Sequence, residues 1–100
     1  MIIGCCYIKF YLHESRSLKE KRRVVRAIKD RLKNNFNVSV AEVGDPDNWQ
    51  SLHIGISAVG SDRPYMDGLM TKVVDAIDRM NLAEITNCKT ETMNLGSENF

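Results

Sequence analysis

A chain of 100 residues has room for one domain and one modest core. With 43% hydrophobic and 27% charged residues, it falls outside the compositions of disordered, collagen-like and membrane proteins. The net charge of +1 conceals a polarity: residues 14–33 carry nine basic and three acidic side chains, or +6, which leaves −5 on the other 80 residues. Such a split steers a polyanion onto one face and repels it from the rest.

Residues 2–12 are rich in β-branched and aromatic types, and Ile2, Cys6, Ile8, Phe10 and Leu12 share one alternation phase. This spacing predicts a strand with one buried face and one half-exposed face. Ser17, Leu18, Lys19 and Glu20 then have the spacing of a capping box, in which serine and glutamate reciprocally satisfy free N–H groups at a helix start. At 100° per residue, Leu18, Val25, Ile28 and Leu32 fall on one stripe with Val24 at its edge, while Lys19, Arg22, Arg23, Arg26, Lys29 and Lys33 occupy the opposing arc. Asn34 and Asn35 suit a helix end.

Residues 36–43 read as a second strand in which Phe36, Val38 and Val40 alternate with more polar neighbours. Gly44, Asp45, Pro46, Asp47 and Asn48 are turn formers, too few for a crossover, so strands two and three are antiparallel neighbours. The third strand, residues 50–59, places Leu52, Ile54, Ile56 and Ala58 on one side and His53, Gly55 and Ser57 on the other. Ser61 or Asp62 caps a second helix with Pro64 in its first turn, burying Met66, Leu69, Met70, Val73, Ile77 and Met80. A threonine-rich strand over residues 84–93 follows, and residues 94–100 form a polar tail after a single domain of residues 1–93.

The order β-α-β-β-α-β is the split βαβ, or ferredoxin-like, arrangement of the α+β class. Right-handed crossovers place both helices on one face of a four-stranded antiparallel sheet. The other face stays open, with Ile3, Cys5, Tyr7, Lys9, Tyr11, Ser39, Ala41, Val43, His53 and Ser57 as its expected occupants. That mixture is apolar enough to call for a cover.

The first helix carries the strongest functional signal. Lys19, Lys21, Arg22 and Arg23 crowd its first two turns, where the macrodipole is positive and favours acids, and Glu20 alone opposes them. Cations held at such a site imply an anionic guest, and we expect that guest to be phosphate. The candidate RNA- or phosphate-binding set is Arg16, Lys19, Arg22, Arg23, Arg26, Lys29 and Lys33. Against it stands a plain solvated face, since Lys and Arg are good helix formers and Arg26 with Asp30 has ion-pair spacing. Tyr7, Trp49 and His53 form a candidate protein interface, with a homodimer through the open sheet as its simplest use. Base stacking on the sheet is not expected, because the third strand lacks the aromatics of RNA-recognition domains.

Three segments are similar to the YlxP-like family, a bacterial domain of unknown function: SRSLKEKRRVV at 15–25, FNVSVAEV at 36–43 and the following Trp49 and Gln50. The match spans nearly the whole chain. The resemblance implies a ferredoxin-like fold with no established activity, and a link to ribosome maturation or RNA metabolism through the company its genes keep with translation factors. The ending NCKTETMNLGSENF is unlike the shorter hydrophobic one that the resemblance implies.

No catalytic set is visible: there is no nucleophile with base and orienter, no P-loop and no dinucleotide glycine signature. Arg16 and Ser17 stand where acylphosphatases of similar topology cradle a phosphate, but the glycine-containing motif of that family is missing, which leaves phosphate-handling catalysis a remote alternative. His13, His53, Cys5, Cys6 and Cys88 have no metal-ligand spacing, and Cys5 and Cys6 point to opposite sheet faces, so neither metal nor cofactor is expected. Three cysteines are too few and irregular for a disulfide framework and fit a reducing compartment as small core or face-filling residues. Residues 1–11 lack a basic leader and a cleavage site, and Lys9 interrupts their apolar run far short of the ~20 residues a span needs. The expectation is a non-enzymatic cytoplasmic protein, without membrane association, that binds RNA or a ribosomal assembly intermediate; a homo-oligomeric scaffold using the open sheet is the alternative.

Overall fold

The computed structural model describes residues 1–96. Its elements are β1 (Ile2–Tyr11), α1 (Leu18–Asn35), β2 (Ser39–Glu42), β3 (Ser51–Gly60), α2 (Arg63–Met80) and β4 (Glu84–Asn94). The strands form one antiparallel sheet in the order β2-β3-β1-β4, with the two longest pairings on either side of β1. This is the ferredoxin-like β-α-β-β-α-β arrangement.

The alternation in β1 and β3 does what period two requires. Ile2, Cys6, Ile8 and Phe10 are buried opposite or beside Leu52, Ile54, Ile56 and Ala58, and both helices lay Ile28, Leu32, Met66, Met70, Val73 and Ile77 onto that surface. Gly4 sets how closely α2 approaches: a Cβ there would lie 2.4 Å from Met66 Sδ and 2.7 Å from its Cγ. The row Thr92, Gly4 and Ala58 runs across three strands and supplies the small residues under Met66.

Both helix starts follow their sequence signals. The Ser17 side chain accepts from the Glu20 N–H at 3.2 Å, and Asp62 Oδ1 accepts from the Tyr65 N–H at 3.1 Å. The glutamate of the box departs from the reciprocal pattern, for its carboxylate accepts from the N–H of Arg16, one residue before the cap.

Three features of the sheet stand out against expectation. The second strand pairs only over Ser39–Glu42, because the Phe36 N–H donates to Leu32 O at 2.8 Å and closes the helix while Phe36 and Val38 still pack against the core. The last strand extends to Asn94, opposite Ile2, and Leu95 is bonded to Met1 through both N–H and O, so the polar tail begins later than residue 94; residues 97–100 lie outside the described part. A bulge in β4 is the third difference. The register shifts between Lys9 and Phe10, with Asn87 opposite Lys9 and Ile85 opposite Phe10, so Thr86 is the extra residue. Its effect is to put odd-numbered Ile85 and even-numbered Cys88 on the same side of the sheet.

Candidate nucleic-acid interface

Helix α1 separates its charges into two populations. Arg16, Lys19, Arg22, Arg23, Arg26 and Lys33 are exposed, and Lys29 is half-buried. Apart from Arg16, just ahead of the helix, they lie along one arc that runs about 21 Å from Lys19 to Lys33 at 1.5 Å per residue. Among the described residues the ion pairs are His13 with Glu84 and Lys21 with Glu42, so the exposed cations of α1, Arg26 included, have no carboxylate partner within the fold. Arg31 is also exposed but stands apart from the arc, beside Val24 at the other edge of the apolar stripe.

Lys21 belongs to the other population. Grouped by sequence position it sits with Lys19, Arg22 and Arg23, yet it is 2% exposed and points into the molecule. Its Nζ donates to Asp45 O at 2.9 Å and to Asn48 O at 2.7 Å, and lies 2.9 Å from Glu42 Oε2. That oxygen is out of contact with solvent and has the ammonium as its charge partner, without a well-aligned hydrogen bond. The guest that this cation requires is thus internal: a carboxylate of β2 and two carbonyls of the β2-to-β3 connection. The helical wheel carries the signal, since at 100° per residue Lys21 falls between Ile28 and Leu32, in the middle of the core stripe.

The helix N-terminus is likewise supplied from within. Glu20 caps the Arg16 N–H, and a phosphate seated at that turn has to displace its carboxylate. At the helix start the cations thus share their surroundings with a carboxylate, whereas farther along the arc they do not.

On the far side of the sheet, register places Ile3 beside Val59 and Met93, Cys5 beside Ser57 and Glu91, and Tyr7 beside Gly55 and Lys89. This open face holds a shallow concavity of about 960 Å³ bordered by Tyr7, Lys9, Ala41, Ser57, Lys89 and Glu91. Tyr7 and His53 are brought together: the tyrosine hydroxyl and His53 Nδ1 share a 2.8 Å hydrogen bond, with the rings edge to face at 5.6 Å. Trp49 is 39% exposed in the β2-to-β3 connection and joins neither by hydrogen bond or ring contact among the described residues. The core methionines of α2 pack against the sheet, as their spacing implied. Among the described residues no three His, Cys, Asp or Glu side chains converge as a metal site requires, and no helix is long and apolar enough to cross a membrane.

Comparison with one solved protein agrees with this architecture. The de novo designed protein Foldit4 superimposes with a TM-score of 0.54 at 15% identity, covering 96% of this chain and 100% of that one, a likeness of fold alone. A second designed protein, with a ferredoxin fold, gives a TM-score of 0.47 at 10% identity over 98% of this chain and 90% of its own. In sequence, the uncharacterized protein YlxP of Bacillus subtilis (strain 168) is 38% identical over 90 residues, 90% of this chain and 98% of that protein. Residues 3–90 match the family described as "Protein of unknown function (DUF503)", and the chain belongs to that family.

Proposed function

We propose that this domain binds RNA through phosphate contacts along the exposed arc of α1, with Lys19, Arg22, Arg23, Arg26 and Lys33 as the principal contacts and Arg16 and Lys29 at its margins. The observation that carries the reading is that these cations line one helix face without a carboxylate partner among the described residues. Each phosphate neutralised releases a condensed counterion, which favours binding at low salt and makes it steeply ionic-strength dependent. Such contacts fix position without reading base sequence. RNA is preferred among polyanions because of the translation-related setting that the family resemblance implies.

The test is co-sedimentation with purified ribosomal subunits, and filter binding to a mixed RNA pool, across a series of salt concentrations. An Arg22→Glu, Arg23→Glu, Arg26→Glu chain that keeps its circular dichroism and loses binding supports the reading. Retention of binding by that chain removes it.

A second reading rests on a different surface. Val59 is 64% exposed and Met93 45%, on either side of Ile3, so an apolar row crosses the open face. Pairing of two copies on that face would cover it and bury Tyr7 and His53. Sedimentation equilibrium at high salt discriminates, because an apolar two-fold interface persists where phosphate contacts are screened. A monomer at every concentration eliminates this second use.

A further inference from the structure

The bulge in β4 places two of the three cysteines on one side of the sheet. Cys6 of β1 is opposite Thr90, and Cys88 of β4 is opposite Ile8, so the two are diagonal neighbours on adjacent strands. Their sulfurs are 3.8 Å apart. Cys5 is adjacent in sequence to Cys6 but faces the open side, where its row partners are Ser57 and Glu91. Without the one-residue shift at Thr86, the alternation that packs partly buried Ile85 against the core would carry Cys88 to the open side, away from Cys6.

The two thiols differ in access. Cys88 is exposed, on a strand at the edge of the sheet among the described residues, whereas Cys6 is 3% exposed. An outer thiol in contact with an inner one is the arrangement in which the first meets an oxidant and the second resolves the product. We propose that Cys6 and Cys88 form a peroxide-responsive dithiol that closes into a reversible intrachain disulfide tying β4 to β1.

The chemistry balances with hydrogen peroxide as the oxidant. The Cys88 thiolate attacks one peroxide oxygen, the O–O bond breaks, hydroxide leaves and takes a proton to become water, and Cys88 becomes a sulfenic acid. The Cys6 sulfur then attacks Cys88 Sγ; the S–S bond forms, the S–O bond breaks, and a second water leaves with the Cys6 proton. Two thiols lose two electrons and one peroxide becomes two waters. Burial, followed by the charge and hydrogen bonding of Cys88, pushes the Cys6 thiol up to about 12, which keeps it protonated while Cys88 is reduced.

A diagonal pair is at the outer limit of disulfide reach, so closure draws the edge strand inward and strains it. Strained or exposed bridges have higher potentials and are readily reduced. The resting state in a reducing environment is therefore the dithiol, and the bridge is a transient response.

The experiment oxidises the reduced, folded chain with a few equivalents of hydrogen peroxide, unfolds it in N-ethylmaleimide, and maps its peptides by mass spectrometry. The expected result is a Cys6-to-Cys88 linked peptide in most molecules, Cys5 fully alkylated, and full recovery of all three thiols after dithiothreitol. The linkage persists in Cys5→Ser and is abolished in Cys88→Ser, a substitution at an exposed site. Irreversible oxidation of Cys88 with Cys6 left free, a bridge that includes Cys5, or crosslinks solely between chains overturns the proposal. Mapping the unsubstituted chain does not depend on whether any variant folds.

Discussion

The two helices do the same structural job with opposite electrostatics. Each is 18 residues long, each is capped by a side-chain oxygen, and each lays apolar residues on the same side of the same sheet. Yet α1 carries eight basic and two acidic side chains, or +6, while α2 carries three of each and is neutral. Helix α2 therefore acts as an internal control: packing against this sheet makes no demand for positive charge. The cations of α1 beyond Lys21 are excess to folding, and a binding role is the use we assign them. Lys21 is the exception that the comparison isolates, because it packs where α2 would place an aliphatic residue.

The most severe way to break the symmetry is at that exception. Lys21→Met fills similar space but leaves Glu42 and the two loop carbonyls without their cation, and removal of one partner from a buried pair costs roughly 3–4 kcal/mol. Urea unfolding should show that loss, and a double-mutant cycle with Glu42→Gln should recover part of it. An unchanged midpoint would return Lys21 to the surface population.

Next in size is the pair of matched substitutions on the exposed arcs. Arg22→Gln, Arg23→Gln, Arg26→Gln should weaken RNA binding about a hundredfold at low salt and flatten the slope of log K against log salt by up to about 3. Stability should change by less than ~0.5 kcal/mol per site. The equivalent neutralisation of Arg63, Lys72 and Arg79 on α2 should leave binding within about twofold. Equal losses from both helices would mean that long-range charge, and not the α1 arc, governs association.

Smaller effects sharpen the structural half of the comparison. Gly4→Ala intrudes on Met66 and should cost about 2 kcal/mol by overpacking beneath α2, with Met66→Ala added to restore room. Ser17→Ala should lower the thermal midpoint by the equivalent of about 1 kcal/mol, and Asp62→Ala by a similar amount, since each removes one capping acceptor. A much larger loss at Ser17 would mean that the Glu20 bond to Arg16 fails along with it.

The fold was legible wherever one side chain face is buried and the backbone regular. Leu52, Ile54, Ile56 and Ala58 alternate without interruption and are all buried; Ser17 marked the first helix start to the residue, and the second was narrowed to Ser61 or Asp62, of which Asp62 is the cap. The last strand was harder because its alternation is reset at Thr86, and a bulge leaves no composition signal of its own. Lys21 was obscured for another reason: charge counted along a sequence adds neighbours that a helix turns apart by 100° each. The open-face residues Tyr7 and His53 were placed on one side by period two, but their hydrogen bond depends on a diagonal offset between strands that sequence does not encode locally.

The grip of Lys21 on residues 45 and 48 has an implication for how this chain can vary. Hairpin connections are ordinarily where insertions are tolerated, but here oxygens from both ends of the turn close on a single ammonium, at 2.9 and 2.7 Å. A ring drawn around one ion has a fixed circumference, so an added residue must either loop outward beyond the grip or release it. The place where this protein looks freest to lengthen is for that reason one of the places where its length is set.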